Sequence, residues 1–367
     1  MNKDFELTLL SEGQIWGNNS EPQLEVISKY GTKAAITDLC VLTGSSLYKD
    51  TIDEDKSLTG RTSWFWTRSD DDDNDVRVVN KYGNGGNIFR YARNGAVRPA
   101  LQSSVIFYQI YQSRVRGHGG TEEVEFGEYP QNAADSRMQN ILESEYNRGM
   151  NKTGRSYTFD SARYKRYNDS DLEFSPVTYD EYEYQGKAYI RIKANFYFDG
   201  NKCMLSNGVE YRDGDYVWVE VAPVKWLIDD ENKRLISKYG LVSGIRFLDR
   251  NHNYYGDFNK TEMYEYLNKY MIKDLFQNVN CIQKGSDNNI EESLNILGLV
   301  FCKEISQEIL NLVVKDRINQ VITDSKLYDS MDYKQLKEQI NKILEAGKSV
   351  SLHVNNNSNK VKQLNSK

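Results

Sequence analysis

The sequence predicts an α+β protein, with a β-rich body carrying long loops and packed helices, followed by a small helical segment. Three observations carry this reading. Aromatic residues crowd the body: 41 of 44 precede residue 281, and only Phe301, Tyr328 and Tyr333 follow it. Within the body, short apolar or alternating runs are punctuated by Gly, Asn and Asp clusters, the mark of strands joined by turns. Beyond residue 280 the apolar spacing becomes helical. All five tryptophans and all five prolines lie before residue 227. The expected organisation is therefore a body over 1–280, a helical segment over 281–354 and a polar, disordered tail over 355–367.

The expected strands follow in order. FELTLL (5–10) precedes the turn-rich SEGQIWGNNSEP, and VRVVN (76–80) precedes KYGNGGN. AYIRIKANFYF (188–198) precedes DGNKCMLSNG, and DYVWVEV (215–221) precedes APVKW. Two stretches break this rhythm with helical spacing, residues 133–149 and 260–276, the latter through Met263, Leu267, Met271 and Leu275. In the C-terminal segment, Ile305, Ile309, Leu312 and Val313 are expected on one helix face, and Leu336, Ile340, Ile343 and Leu344 on another. The second of these helices has a start signal at Ser330 or Asp332 and a stop signal at Gly347.

The 367 residues carry 47 Lys and Arg against 53 Asp and Glu, a net charge of −6. Such a chain offers no global basic field to nucleic acid or anionic lipid. No apolar run approaches the roughly 18 residues of a membrane span, and MNKDFELTLL lacks a signal-peptide layout. A cytoplasmic or virion protein without membrane contact is the expectation. Cys40, Cys203, Cys281 and Cys302 stand far apart without CxxC spacing, against a disulfide scaffold or a zinc site.

The most specific local signal spans residues 63–101. Trp64 and Trp66 alternate along a strand and face one side of it. A polar loop follows, then VRVVN, a glycine-rich turn, a short strand around Ile88–Tyr91 and a closing strand with Val97, Pro99 and Leu101. This W-x-R-S strand with its closing V-R-P-A-L resembles the end of domains in the C-type-lectin-like, sulfatase-modifying-factor-like superfamily. It resembles more closely a bacterial and phage domain of unknown function within that group. Residues 124–131 (VEFGEYPQ) resemble that domain's opening strand, 223–239 its P-[IV]-x-W hairpin, and 264–276 its helix with a Leu-Asn pair. Residues 7–16 and 32–44 resemble the segment that follows this helix. The resemblance covers most of 5–280 with the order reversed, the family's second half at 5–101 and its first half at 122–280. It implies a C-type-lectin-like mixed sheet in circularly permuted form, with 116–121 (RGHGGT) as connector, or halves exchanged between subunits.

The candidate binding residues are Trp66, Arg68, Asp71, Asp73, Asp75, Arg90 and Arg93. Tryptophan faces suit sugar rings and bases, but core packing is the favoured use of Trp64, Trp66 and Trp226. Arg68 and Arg98 would bind an anion or tie strand ends together, the second being favoured. Asp70–Asp75 offers oxygen ligands to calcium without the EF-hand spacing, so a solvated loop is the better reading and no metal is expected. GNGG at 83–86 lacks a phosphate-loop pattern and reads as a turn. His118, His252 and His353 form no HExxH or HxH arrangement, and the late-domain piece holds only Cys40 where formylglycine-generating members need two cysteines. Basic and aromatic residues alternate over 157–167 (YTFDSARYKRY), a weak nucleic-acid signal beside acidic flanks.

No catalytic residue and no cofactor emerge. The leading expectation is a non-enzymatic recognition or structural module that displays variable loops, phage- or prophage-encoded, with a protein or glycan partner and possible self-association through the C-terminal helices. The alternatives are an enzyme of sulfatase-modifying-factor type with a non-standard site, or an acidic inhibitor of a host nucleic-acid enzyme using Asp70–Asp75 and Asp229–Glu231.

Overall fold

The computed structural model describes residues 6–48, 60–71, 75–102, 123–160, 175–196, 202–277, 307–328 and 333–364. Two compact units emerge: Leu7–Leu101 with Glu122–Leu275 forms one, and the second holds both C-terminal helices. The fold is α+β. The described strands are β1 (Glu6–Thr8), β2 (Phe65–Asp70), β3 (Val76–Val79), β4 (Gly85–Ile88), β5 (Ala100–Gln102), β6 (Glu123–Ala133), β7 (Lys152–Asp160), β8 (Pro176–Tyr184), β9 (Lys187–Lys193), β10 (Lys202–Met204), β11 (Glu210–Arg212), β12 (Tyr216–Asp229) and β13 (Arg234–Ser237). The helices of the first unit are α1 (Glu12–Trp16), α2 (Glu25–Tyr30), α3 (Asp38–Leu42), α4 (Ser136–Asn147) and α5, which begins at Glu262 and reaches Phe276.

An eight-stranded sheet runs β1-β5-β13-β12-β9-β8-β7, with β6 paired to β12 off this path. Its strands come from both stretches of the first unit, β1 and β5 from before residue 103 and the others from after residue 122. The long β12 organises the sheet because it pairs antiparallel with β9 over Tyr216–Val221, with β13 over Trp226–Asp229 and with β6 over Val219–Leu227. Register shifts at Glu220/Val221 and Pro223/Lys225 accommodate Pro223, whose ring nitrogen has no hydrogen to give a ladder. A second sheet, β2-β3-β4, and the β10-β11 ribbon complete the strands. The short strand expected around Ile88–Tyr91 forms earlier, as β4, because Asn80 and Gly83 close the turn and bring Gly85 opposite Val79.

Helix α4 packs Leu142 onto Tyr182, Tyr189 and Trp218 of the sheet. In α5 the four apolar residues spaced by four, Met263, Leu267, Met271 and Leu275, are all fully buried. A spacing of exactly four drifts around a 3.6-residue helix, and the π-helical stretch Leu267–Met271 takes up that drift. The two chain stretches are also tied through Asp38. Its buried carboxylate accepts from Arg61 at 2.9 Å, from the Ala133 N–H at 2.9 Å, and from both the N–H (3.0 Å) and hydroxyl of Ser206.

In the second unit, α6 (Gln307–Tyr328) and α7 (Tyr333–Leu364) pair through Leu310 and Val313 on one side and Ile343, Ala346 and Val350 on the other. This corrects the expected faces. Leu312 and Leu344 are exposed, since each sits about 100° around the helix from its buried neighbour, Val313 or Ile343. Gly347 does not end the helix. A Cβ there would lie 2.8 Å from Val314 Cγ2, so the glycine permits close helix approach, and α7 continues through Leu364 across most of the expected disordered tail. The signals at Ser330 and Asp332, Ile305 and the connector at 116–121 lie outside the described residues. Among the described residues no helix is long and apolar enough to cross a membrane.

Candidate functional site

Between the end of the sheet and α5 the chain runs through LVSGIRFLDRNHNYYGD (241–257), a polar stretch that opens a cleft of about 560 Å³. Ile245, Arg246, Asp249, Arg250, Asn251 and His252 form one wall; Glu262, Glu265, Tyr266, Lys269 and Tyr270 of α5 form the other, with Pro176 beside them. The walls are joined by a forked ion pair, in which Arg246 Nη2 donates to Glu262 Oε1 at 2.7 Å and Nε donates to the second oxygen. His252 Nδ1 meets the Asp249 carboxylate, and Lys269 Nζ reaches Glu265 at 3.0 Å. Burial alone would raise the Asp249 carboxyl. The Asn251 N–H and His252 outweigh it and hold that carboxyl below its usual range. Glu265 and Tyr270 raise the Lys269 ammonium above its usual range, so it stays charged at neutral pH.

Aromatic groups flank the cleft. Phe89, 49% exposed, stacks on Tyr91 with centroids 5.3 Å apart, and the Arg250 guanidinium lies over the Tyr91 ring at 5.5 Å.

Three of the seven candidate residues support this wall from behind. Arg90 is a clasp: its carbonyl accepts from the N–H groups of Phe247 and Leu248, while its guanidinium donates to the carbonyls of Arg250 (2.8 Å) and His252. Arg93 is buried, and its carbonyl receives Gly244 N–H and the Ser243 hydroxyl. Trp66 is 1% exposed and packs on Phe247 and Trp64. A ring so enclosed cannot serve as a stacking surface, because strand β2 is covered on both faces; Phe65 on its other side is also buried.

The remaining candidates lie elsewhere. Arg68 sits at the end of β2, 3.9 Å from Glu21. Asp71 N–H donates to the Asp75 carbonyl at 3.0 Å, and the Asp71 carboxylate accepts from Asn87. Asp73 lies outside the described residues. Among the described residues no three His, Cys, Asp or Glu side chains gather to hold a metal ion.

Sequence reasoning missed the lining itself, Arg246, Asp249, Arg250, His252, Glu262, Glu265 and Lys269. The available signal was the unbroken polar run DRNHNYYGD between two apolar stretches. No family model matches this chain, and no curated protein or solved structure is significantly similar to it. The chemistry of the cleft must therefore be read from its own residues.

Proposed function

We propose that the chain is a non-enzymatic recognition or structural module in which a C-type-lectin-like frame, in permuted order, holds loops that contact a protein or glycan partner. The 241–257 stretch and α5 form the contact surface. The observation that carries this reading is the state of the cleft's carboxylates. Asp249, Glu262 and Glu265 are each engaged by a basic neighbour within the cleft. Groups locked in mutual ion pairs make a shaped, charge-balanced surface suited to complementarity. A proton-transfer catalyst instead needs an acid or base poised toward substrate. The permuted frame is supported by the shared sheet, to which stretches on both sides of 103–122 contribute strands. The net charge of −6 favours protein or glycan over nucleic acid. A phage or prophage origin, as virion component or host-interaction protein, follows from the family resemblance alone.

The test is capture by tagged full-length chain from its native cells, compared with the same chain carrying Arg250→Ala and Lys269→Ala. Recovery of one partner by wild type and its loss in the paired variant is the expected result. A partner retained equally by both would move the contact surface away from the cleft. Turnover of a captured small molecule, abolished by His252→Ala, would replace recognition with catalysis.

A further inference from the structure

A second cluster lies where the end of β2, the loop between α1 and α2, and the β12-β13 hairpin meet. Arg68 points its Nη2 toward Glu21 Oε1 at 3.9 Å, beyond hydrogen-bond range, while the other Glu21 oxygen accepts from Ser11 Oγ. Arg234, half-buried at the start of β13, lies within electrostatic reach of Arg68, Glu21 and Asp229. Asp229 spends its acceptor capacity on Asn232, whose Nδ2 donates to Oδ2 at 3.0 Å and to Oδ1 at 3.1 Å. The Nε atoms of Arg68 and Arg234 are both buried and have no acceptor among the described residues. Two guanidinium forks thus share one loosely held carboxylate. Buried donors without acceptors cost more than the gain from any typical hydrogen bond, so an added acceptor here is favoured. Arg68 is more than a third exposed along its side chain and Glu21 about as much, so the cluster opens to solvent.

We propose that Arg68 and Arg234 form a binding site for a single oxyanion group, a carboxylate or a phosphate, with Glu21 as the internal competitor for the Arg68 fork. Planar guanidinium matches both groups bidentately, and a bound oxyanion would take the acceptor role that Glu21 fills only at a distance. The site is separate from the cleft and does not depend on the reading given to it. Its specific consequence is a sign. Removing the competing charge by Glu21→Gln strengthens anion binding, whereas Arg234→Gln abolishes it.

The experiment is calorimetric titration and thermal melting of the full chain with inorganic phosphate and with acetate, each against sodium chloride of equal ionic strength. Wild type should melt about 3 °C higher in saturating anion, Glu21→Gln should bind roughly tenfold more tightly, and Arg234→Gln and Arg68→Gln should lose the response. The tighter of the two probes tells whether phosphate or carboxylate is the natural group. Arg234→Lys keeps the charge without the fork and should bind at least tenfold more weakly, which covers the case in which Arg234→Gln fails to fold. An equal response in every variant, or a response matched by sodium chloride, overturns the site. No anion response in wild type, together with a lower melting temperature in Asp72→Asn/Asp73→Asn, would assign the acceptor to the chain's own acidic run and overturn it as well.

Discussion

Asn268 pairs with Leu7 as a neighbouring strand residue would: the Leu7 N–H donates to Asn268 Oδ1 at 3.0 Å and Asn268 Nδ2 donates to the Leu7 carbonyl at 2.9 Å. The same device recurs on α4. Gln139 accepts from the Trp218 N–H at 2.8 Å and donates to the Trp218 carbonyl at 2.7 Å. In both cases a helix side-chain amide, which carries one acceptor and two donors, continues a ladder where no strand is available. The device at Leu7 fastens the first described strand to a helix 261 positions later.

Replacing Asn268 by Ala strands both backbone groups of a fully buried residue and should cost about 2–4 kcal/mol, from two groups at roughly 1–2 kcal/mol each. Gln139→Ala should cost a similar amount. Urea unfolding of the two single variants and the double variant checks this. Because the sites are distant, the costs should add.

Gly95 is held by the tryptophan pair. A Cβ there would come within 2.4 Å of Trp64 and 2.6 Å of Trp66 Nε1, atoms of rings fixed edge-on at 5.0 Å. Gly95→Ala should destabilise by about 3 kcal/mol through overpacking, and Trp66→Ala by about 3–5 kcal/mol through the cavity it leaves. Surface-like costs below about 1 kcal/mol for both would contradict the enclosed position of these rings.

The acidic run makes the opposite forecast. Asp71 is a surface residue bonded to Asn87, and like charges around it repel, so Asp71→Asn should change stability by less than about 0.5 kcal/mol. Millimolar calcium should leave the melting temperature unchanged. A calcium-dependent rise abolished by Asp71→Asn and Asp73→Asn would establish a metal site there.

Much of the fold was legible because burial leaves a period in the sequence. The spacing of Met263, Leu267, Met271 and Leu275 marked α5, and the alternation about Trp64 and Trp66 marked β2. Local periodicity failed where the deciding contact is remote. Gly347 has the composition of a helix stop, and only the approach of Val314 reveals it as a packing residue. The site was legible by half for the same reason. Arg90, Arg93 and Trp66 drew attention as large or charged residues in a distinctive segment, but they act on 243–252, more than 150 positions away. The lining ion pairs Arg246–Glu262 and Glu265–Lys269 look in sequence like ordinary surface charge.

Asp274 supplies the pH dependence. Burial pushes its carboxyl up to about 7, although the Thr158 N–H at 2.7 Å and the Lys273 charge both pull it down. An unfolded aspartate titrates near 3.9. Between about pH 4 and 7 the folded chain therefore holds a proton that the unfolded chain has released. The resulting stabilisation is fully present below about pH 4 and is lost as pH rises through about 7. Asp274→Asn keeps an oxygen that can accept from Thr158 and never ionises. It should flatten this part of the stability profile and exceed wild type by about 2–4 kcal/mol at pH 8, with little difference at pH 4. Urea midpoints of both proteins across pH 4–8 measure the effect. A gap between them that stays constant over that range would show that Asp274 does not titrate there.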